Sequence, residues 1–99
     1  MRYNFEWDPA KVRQNVRKHN ISFHRAATIF RDSRAISIFD DEHSQEEDRW
    51  ISIGLDSEGV LLVVVHTFRR IDASSCNIRI ISARKATKKE AKQYEELSL

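Results

Sequence analysis

The chain has 99 residues, 40% of them hydrophobic and 32% charged, with a formal net charge of +2. A chain this short buries about 60 to 68% of its unfolded surface and supports one core, so residues 1–99 are read as a single domain and wholesale disorder is excluded. No run of about 18 apolar residues is present, MRYNFEWD lacks the apolar stretch of a secretory signal, and Cys76 has no partner for a disulfide, so a cytoplasmic, reducing location with no membrane contact is expected.

Tyr3, Phe5 and Trp7 alternate with polar residues and predict a short strand with one buried face. Asp8 and Pro9 then start a helix that runs through Lys18, with only Ala10, Val12 and Val16 as a thin apolar stripe. Asn20 suits the left-handed cap that ends it. Ser22 caps a second helix, in which Phe23, Ala26, Ala27 and Phe30 fall on one core-facing stripe. Four strands are predicted next, over 35–40, 49–54, 60–68 and 77–82. Asp56, Ser57, Glu58 and Gly59 form a tight reversal that pairs the second and third of these as a hairpin. The run LLVVV at 61–65 is apolar on both faces and predicts a central strand with a helix covering one side. Thr87 and Glu90 have capping-box spacing and open a final, very polar helix, whose narrow seam of Ala91, Tyr94 and Leu97 predicts weak docking. The order β-α-α-β-β-β-β-α predicts an α+β fold, with an antiparallel sheet of about four to five strands, two N-terminal helices and one C-terminal helix.

Three segments stand out: FEWDPAKVRQNVRKHNISFHRA, HSQEEDRWISIG, and HTFRR with NIRIISARKATKKEAKQYEEL. In order and spacing they resemble the BrnT family, from Phe5 to about Tyr94. The resemblance implies a RelE-like fold, endoribonuclease activity that inhibits growth, and a DNA-binding antitoxin as partner in a type II toxin–antitoxin system. Asn20 departs from the glycine most common in the family, which touches a helix cap and leaves the chemistry intact.

The residues themselves are compatible with metal-independent cleavage of RNA by its own 2′-hydroxyl, which needs a base, cations to stabilise the phosphorane and an acid for the leaving oxygen. Glu47 and Arg49 are two apart and share a strand face; His66 and Arg69 lie at the end of the central strand; Arg84 sits between the last strand and the Thr87 cap. Glu47, His66, Arg69 and Arg84 are therefore the catalytic candidates, with Arg84 read as a bidentate phosphate clamp. Arg79, five residues earlier, is read as structural or solvated. Arg49, Lys85, Lys88 and Lys89 are RNA-binding candidates, the lysines lying where a helix dipole favours phosphate.

Each candidate has a plainer reading. Glu47 and Arg49 could form a surface ion pair worth roughly 0–1 kcal/mol, His66 could be a buried hydrogen-bonded histidine, and the lysines a solvated helix face. Trp50 and Phe68 could stack on bases, with core packing the stronger expectation. His19 and His24 read as surface or capping residues. His43 and His66 with Asp40, Asp41 or Glu46 lack the paired spacing of a zinc site, and Cys76 has no companion, so neither a metal nor another cofactor is expected. The alternative function is a non-catalytic module that joins a DNA-binding partner in transcriptional autoregulation, its arginines serving interface salt bridges.

Overall fold

A computed structural model describes residues 1–45 and 47–98. Strand β1 (Arg2–Glu6) leads into helix α1 (Pro9–His19), where the Asp8 carboxylate accepts the Ala10 N–H and Asn20, at φ 57°, supplies the left-handed cap. Ser22 accepts the Arg25 N–H and opens α2 (Phe23–Ala27), which tightens into a 3-10 turn (Thr28–Arg31). Strands β2 (Ile36–Phe39), β3 (Arg49–Leu55), β4 (Leu61–Arg70) and β5 (Ser75–Lys85) follow, and helix α3 (Lys88–Leu97) closes the chain. The reversal between β3 and β4 is held by the Asp56 carboxylate, which accepts the Glu58 and Val60 N–H groups, while Gly59 takes φ 80°. That positive angle explains the glycine.

Among the described residues one sheet has the order β1-β5-β4-β3-β2. Its β2, β3, β4 and β5 are antiparallel neighbours, but β1 pairs with β5 in parallel. The sheet is therefore mixed rather than purely antiparallel. Period-two patterning reports which side of a strand is apolar and carries no information on the direction of its neighbour.

The two faces bury different clusters. On one, Leu62 and Val64 of β4 and Cys76, Ile78, Ile80 and Ala83 of β5 pack against Ile21, Phe23, Ala26 and Ile29. Fully burying a side chain such as Phe23 or Ile29 contributes roughly 1.5–3 kcal/mol. On the other, Ile53 and Val63 pack against Tyr94 of α3. The central strand thus has a helix on each side, not on one. Tyr94 also donates to Asp32 at 2.6 Å, and Asp32 accepts the Leu55 N–H at 2.9 Å, so one carboxylate ties α3 to β3. Leu97, expected in the seam, is 65% exposed.

Helix α1 departs furthest from its sequence pattern. Ala10 and Val16 are exposed, and Asn15 is buried. The cause is the edge of the sheet. β1 accompanies β5 only as far as Arg79, leaving the second half of β5 with unpaired backbone groups, and α1 lies beside it. Asn15 Oδ1 accepts the Ala83 N–H at 3.0 Å, while its Nδ2 donates to the carbonyls of Ala83 at 2.8 Å and Ile21 at 2.9 Å. Tyr3 and Phe5, at 40% and 36% exposed, are likewise less buried than a one-faced strand predicts, because β1 is an edge strand.

Replacing Asn15 by Ala orphans a buried N–H and two carbonyls, so Asn15→Ala should lower the unfolding free energy by about 2–4 kcal/mol. Gln14→Ala, on the exposed side of the same helix, should cost under about 0.5 kcal/mol. Urea denaturation of both variants checks the difference.

Candidate active site

Register determines what meets on the sheet. Arg49 of β3 pairs with Thr67 of β4, and Thr67 pairs with Arg79 of β5. Paired residues point to the same side, so the two arginines share the face that also carries Ile53 and Val63. Val63 lies four residues before Thr67, about 13 Å along the strand, and there Tyr94 of α3 covers the sheet. Arg69, paired with Asn77, occupies the next row on the same face.

The loop between β2 and β3 brings a carboxylate to this row. Glu47 forms an ion pair with Arg79, and their side chains are 52% and 43% exposed. The loop is clamped at both ends: Asp40 N–H donates to the Arg49 carbonyl at 2.9 Å, and Ser44 Oγ donates to the Asp40 carbonyl at 2.6 Å while accepting the Arg49 N–H at 2.9 Å. A 3-10 turn (Asp41–His43) within it places His43, whose Nδ1 lies 2.9 and 3.1 Å from the two Asp40 carboxylate oxygens. Glu42, His43, Gln45, Glu47 and Arg49 line a depression of about 340 Å³. A second, of about 210 Å³, is lined in part by Asp8, Lys11, Arg49 and Arg79. Arg49 is common to both, with Glu42, Glu47 and the His43 imidazole on one side of it and Lys11, Arg79 and the Asp8 carboxylate on the other.

The other candidates lie elsewhere. His66 pairs with Trp50 and Ile80 and faces the helices, 3% exposed. Its Nε2 and the Ser52 hydroxyl are 2.7 Å apart, its Nδ1 is 3.1 Å from the Thr67 carbonyl, and its ring meets Phe30 edge-on at 4.9 Å. His66 and Arg69 are three apart in one strand and so take opposite faces. Arg84 lies inside β5, opposite Val63, and forms a two-pronged ion pair with Glu90 at 2.7 and 2.8 Å. Glu90 also accepts the Thr87 N–H in the capping box. Lys85, Lys88 and Lys89 are exposed at that same end of β5, away from Glu47. Trp50 and Phe68 are half-buried and line a cavity of about 270 Å³ on the His66 side. Glu46, considered among the metal candidates, lies outside the described residues.

The sequence reading gives Arg79 a structural or solvated role and His43 a dismissed metal role; the structure brings both to Glu47, Arg79 by an ion pair and His43 in the same depression. Arg79 reaches this row only through the register of the assembled sheet, for which the local pattern carries no signal. The tight turn after Asp40 was the signal for His43.

A family model described as "Ribonuclease toxin, BrnT, of type II toxin-antitoxin system" matches residues 7–90. The chain belongs to this family. Its fold is similar to the 1.1 Å crystal structure of the Brucella abortus ribonuclease toxin BrnT, with a TM-score of 0.58 and 19% identity, covering 89% of this chain and 100% of that one. No curated protein matches the sequence. The family is one of ribonuclease toxins, so the enzymatic reading stands over the non-catalytic module, and membership implies an antitoxin partner. No helix among the described residues is long and apolar enough to cross a membrane.

Two titrations separate the structural groups from the open site. Burial pushes the His66 imidazole below its ordinary pKa. The unfolded chain therefore takes up a proton near pH 6.5 that the folded chain resists, and stability falls as pH drops below that value. His66→Gln should remove this component. Hydrogen bonding from Arg84 holds the Glu90 carboxyl down to about 2, so its contribution is present above pH 4.5 and is lost as pH falls towards 2. Arg84→Gln should flatten that window, and denaturant unfolding between pH 2 and 8 reads both.

Proposed function

We propose that the uncovered half of this sheet face cleaves RNA without a metal ion, with Glu47 as the general base that takes the 2′-hydroxyl proton. Arg79 orients Glu47 through their ion pair and, with Arg49 two strands away, supplies cationic donors for the scissile phosphate as charge builds on it. Arg69 and Lys11 extend the cationic path to neighbouring phosphates. The observation that carries this reading is the single register row Arg49, Thr67, Arg79, with Glu47 paired to its last member. Neighbouring strands are about 4.8 Å apart, so the arginine backbones stand about 10 Å from each other and their long side chains can flank a phosphate between them.

In this reading His66 supports the scaffold. Arg84 anchors α3, and Lys85, Lys88 and Lys89 give at most a distal electrostatic contact to the RNA. The antitoxin is a small DNA-binding protein that neutralises the toxin by covering the Glu47 surface, and unopposed cleavage of cellular RNA arrests growth. The setting is the cytoplasm, where the buried free thiol of Cys76 stays reduced.

The purified chain should cleave single-stranded RNA in EDTA and leave a 2′,3′-cyclic phosphate or its hydrolysis product. A strict divalent requirement would overturn the mechanism. In single-turnover assays Glu47→Gln should slow cleavage by about 10²–10⁴-fold, and Arg79→Lys by about tenfold or more, because lysine keeps the charge and loses the planar fork. Arg84→Lys should lower the melting temperature while leaving cleavage close to wild type. Full activity in Glu47→Gln and Arg79→Lys would remove both from the site.

A further inference from the structure

The depression beside Glu47 contains one group to which the cleavage reading gives no role. His43 is 57% exposed at its side chain, and its Nδ1 faces the Asp40 carboxylate, whose side chain is only 14% exposed. A carboxylate can only accept, so Nδ1 carries the proton in that contact and the tautomer is settled. Among the described residues Nε2 has no hydrogen-bond partner. It belongs to a residue lining the same depression as Glu42, Glu47 and Arg49.

The arrangement is preorganised from behind. Asp40 follows the last residue of β2 and continues the β2–β3 ladder through its bond to the Arg49 carbonyl. Ser44 closes the turn by joining the Asp40 carbonyl to the Arg49 N–H. The backbone that orients the imidazole is therefore also the backbone that launches Arg49, so histidine and arginine hold a common frame. Other histidines lack this combination. His66 has both ring nitrogens engaged away from the site, and His24 packs against Trp7 on α2.

We propose that His43 is the general acid of the cleavage reaction and Asp40 its positioning residue. The proposal rests on the reading of Glu47 as base. Glu47 takes the 2′-hydroxyl proton as the 2′-oxygen forms its bond to phosphorus. The bond from phosphorus to the 5′-oxygen then breaks, and the departing oxygen receives a proton from His43 Nε2. The products are a 2′,3′-cyclic phosphate and a 5′-hydroxyl. Solvent takes the proton from Glu47 and returns one to His43, so the cycle balances without a co-reactant. To act as the acid, His43 enters the step with both ring nitrogens protonated, Nδ1–H donating to Asp40 and Nε2–H available to the departing oxygen.

The experiment uses two RNA substrates, one ordinary and one with sulfur in place of the bridging 5′-oxygen at the cleavage position. A thiolate leaves without protonation, so the sulfur substrate needs no general acid. His43→Gln should slow cleavage of ordinary RNA by about 10²–10⁴-fold and cleave the sulfur substrate within about tenfold of wild type. Asp40→Asn should show the same selectivity in smaller measure. Glu47→Gln should be slow on both substrates, because loss of the base is not repaired by a better leaving group. Equal impairment of His43→Gln on both substrates, or full activity on ordinary RNA, would overturn the assignment, as would failure of wild type to cleave either one. If His43→Gln shows the selectivity but Glu47→Gln is fully active, the reading of Glu47 fails and the acid assignment stands.

Discussion

The unpaired half of β5 is the constraint around which the molecule is arranged. A strand edge inside a small protein leaves backbone donors and acceptors without partners, and each such group is costly when buried. Here β1 satisfies the first half of β5 and the amide of Asn15 satisfies Ala83 in the second. Because the same amide also binds the Ile21 carbonyl, it ties the junction between α1 and α2 to β5. Ile21 and Phe23, just beyond, are among the fully buried residues of the main cluster. A polar side chain thus organises the entry to the apolar core.

A second consequence follows along β5. Val65 pairs with Ser82 and His66 with Ile80, which leaves Ile81 as an extra residue in the ladder. Such a bulge bends the strand and increases its local twist. It falls between Arg79 and Arg84 and shifts parity by one, so both arginines lie on the same face, and the four residues from Val63 to Thr67, about 13 Å of strand, put them in separate neighbourhoods. Arg84 joins Glu90, and that carboxylate also completes the capping box of α3. Arg79 joins Glu47, contributed by the loop between β2 and β3. One strand in this way contributes both to the ion pair that joins a helix and to the ion pair on the open surface.

The division of the sheet into two faces sorts the histidines as well. His66 is placed by parity among aromatic and aliphatic side chains, where its hydrogen bonds to Ser52 and Thr67 make it part of the packing. His43, on a turn outside the ladder, escapes parity and reaches solvent. A loop that is clamped at both strand ends can hold such a side chain in place while leaving it open to substrate, which suits proton transfer better than burial does.

Local chemistry was legible in the sequence. Asp8, Ser22 and Thr87 cap helices, Asn20 takes the left-handed angle, and the reversal at 56–59 forms where the turn residues stand, because these motifs act between residues only a few positions apart. The three segments that resemble the BrnT family were sufficient for the family and, through it, for the kind of reaction. Long-range pairing was not legible. The parallel partner of β1, the burial of Asn15 and the meeting of Glu47 with Arg79 each join groups whose neighbours the chain's local pattern does not specify. The last of these pairs residues 32 apart. Amphipathic period and charge say which side of an element is apolar, and only the register of the assembled sheet decides which charged groups on that side face one another.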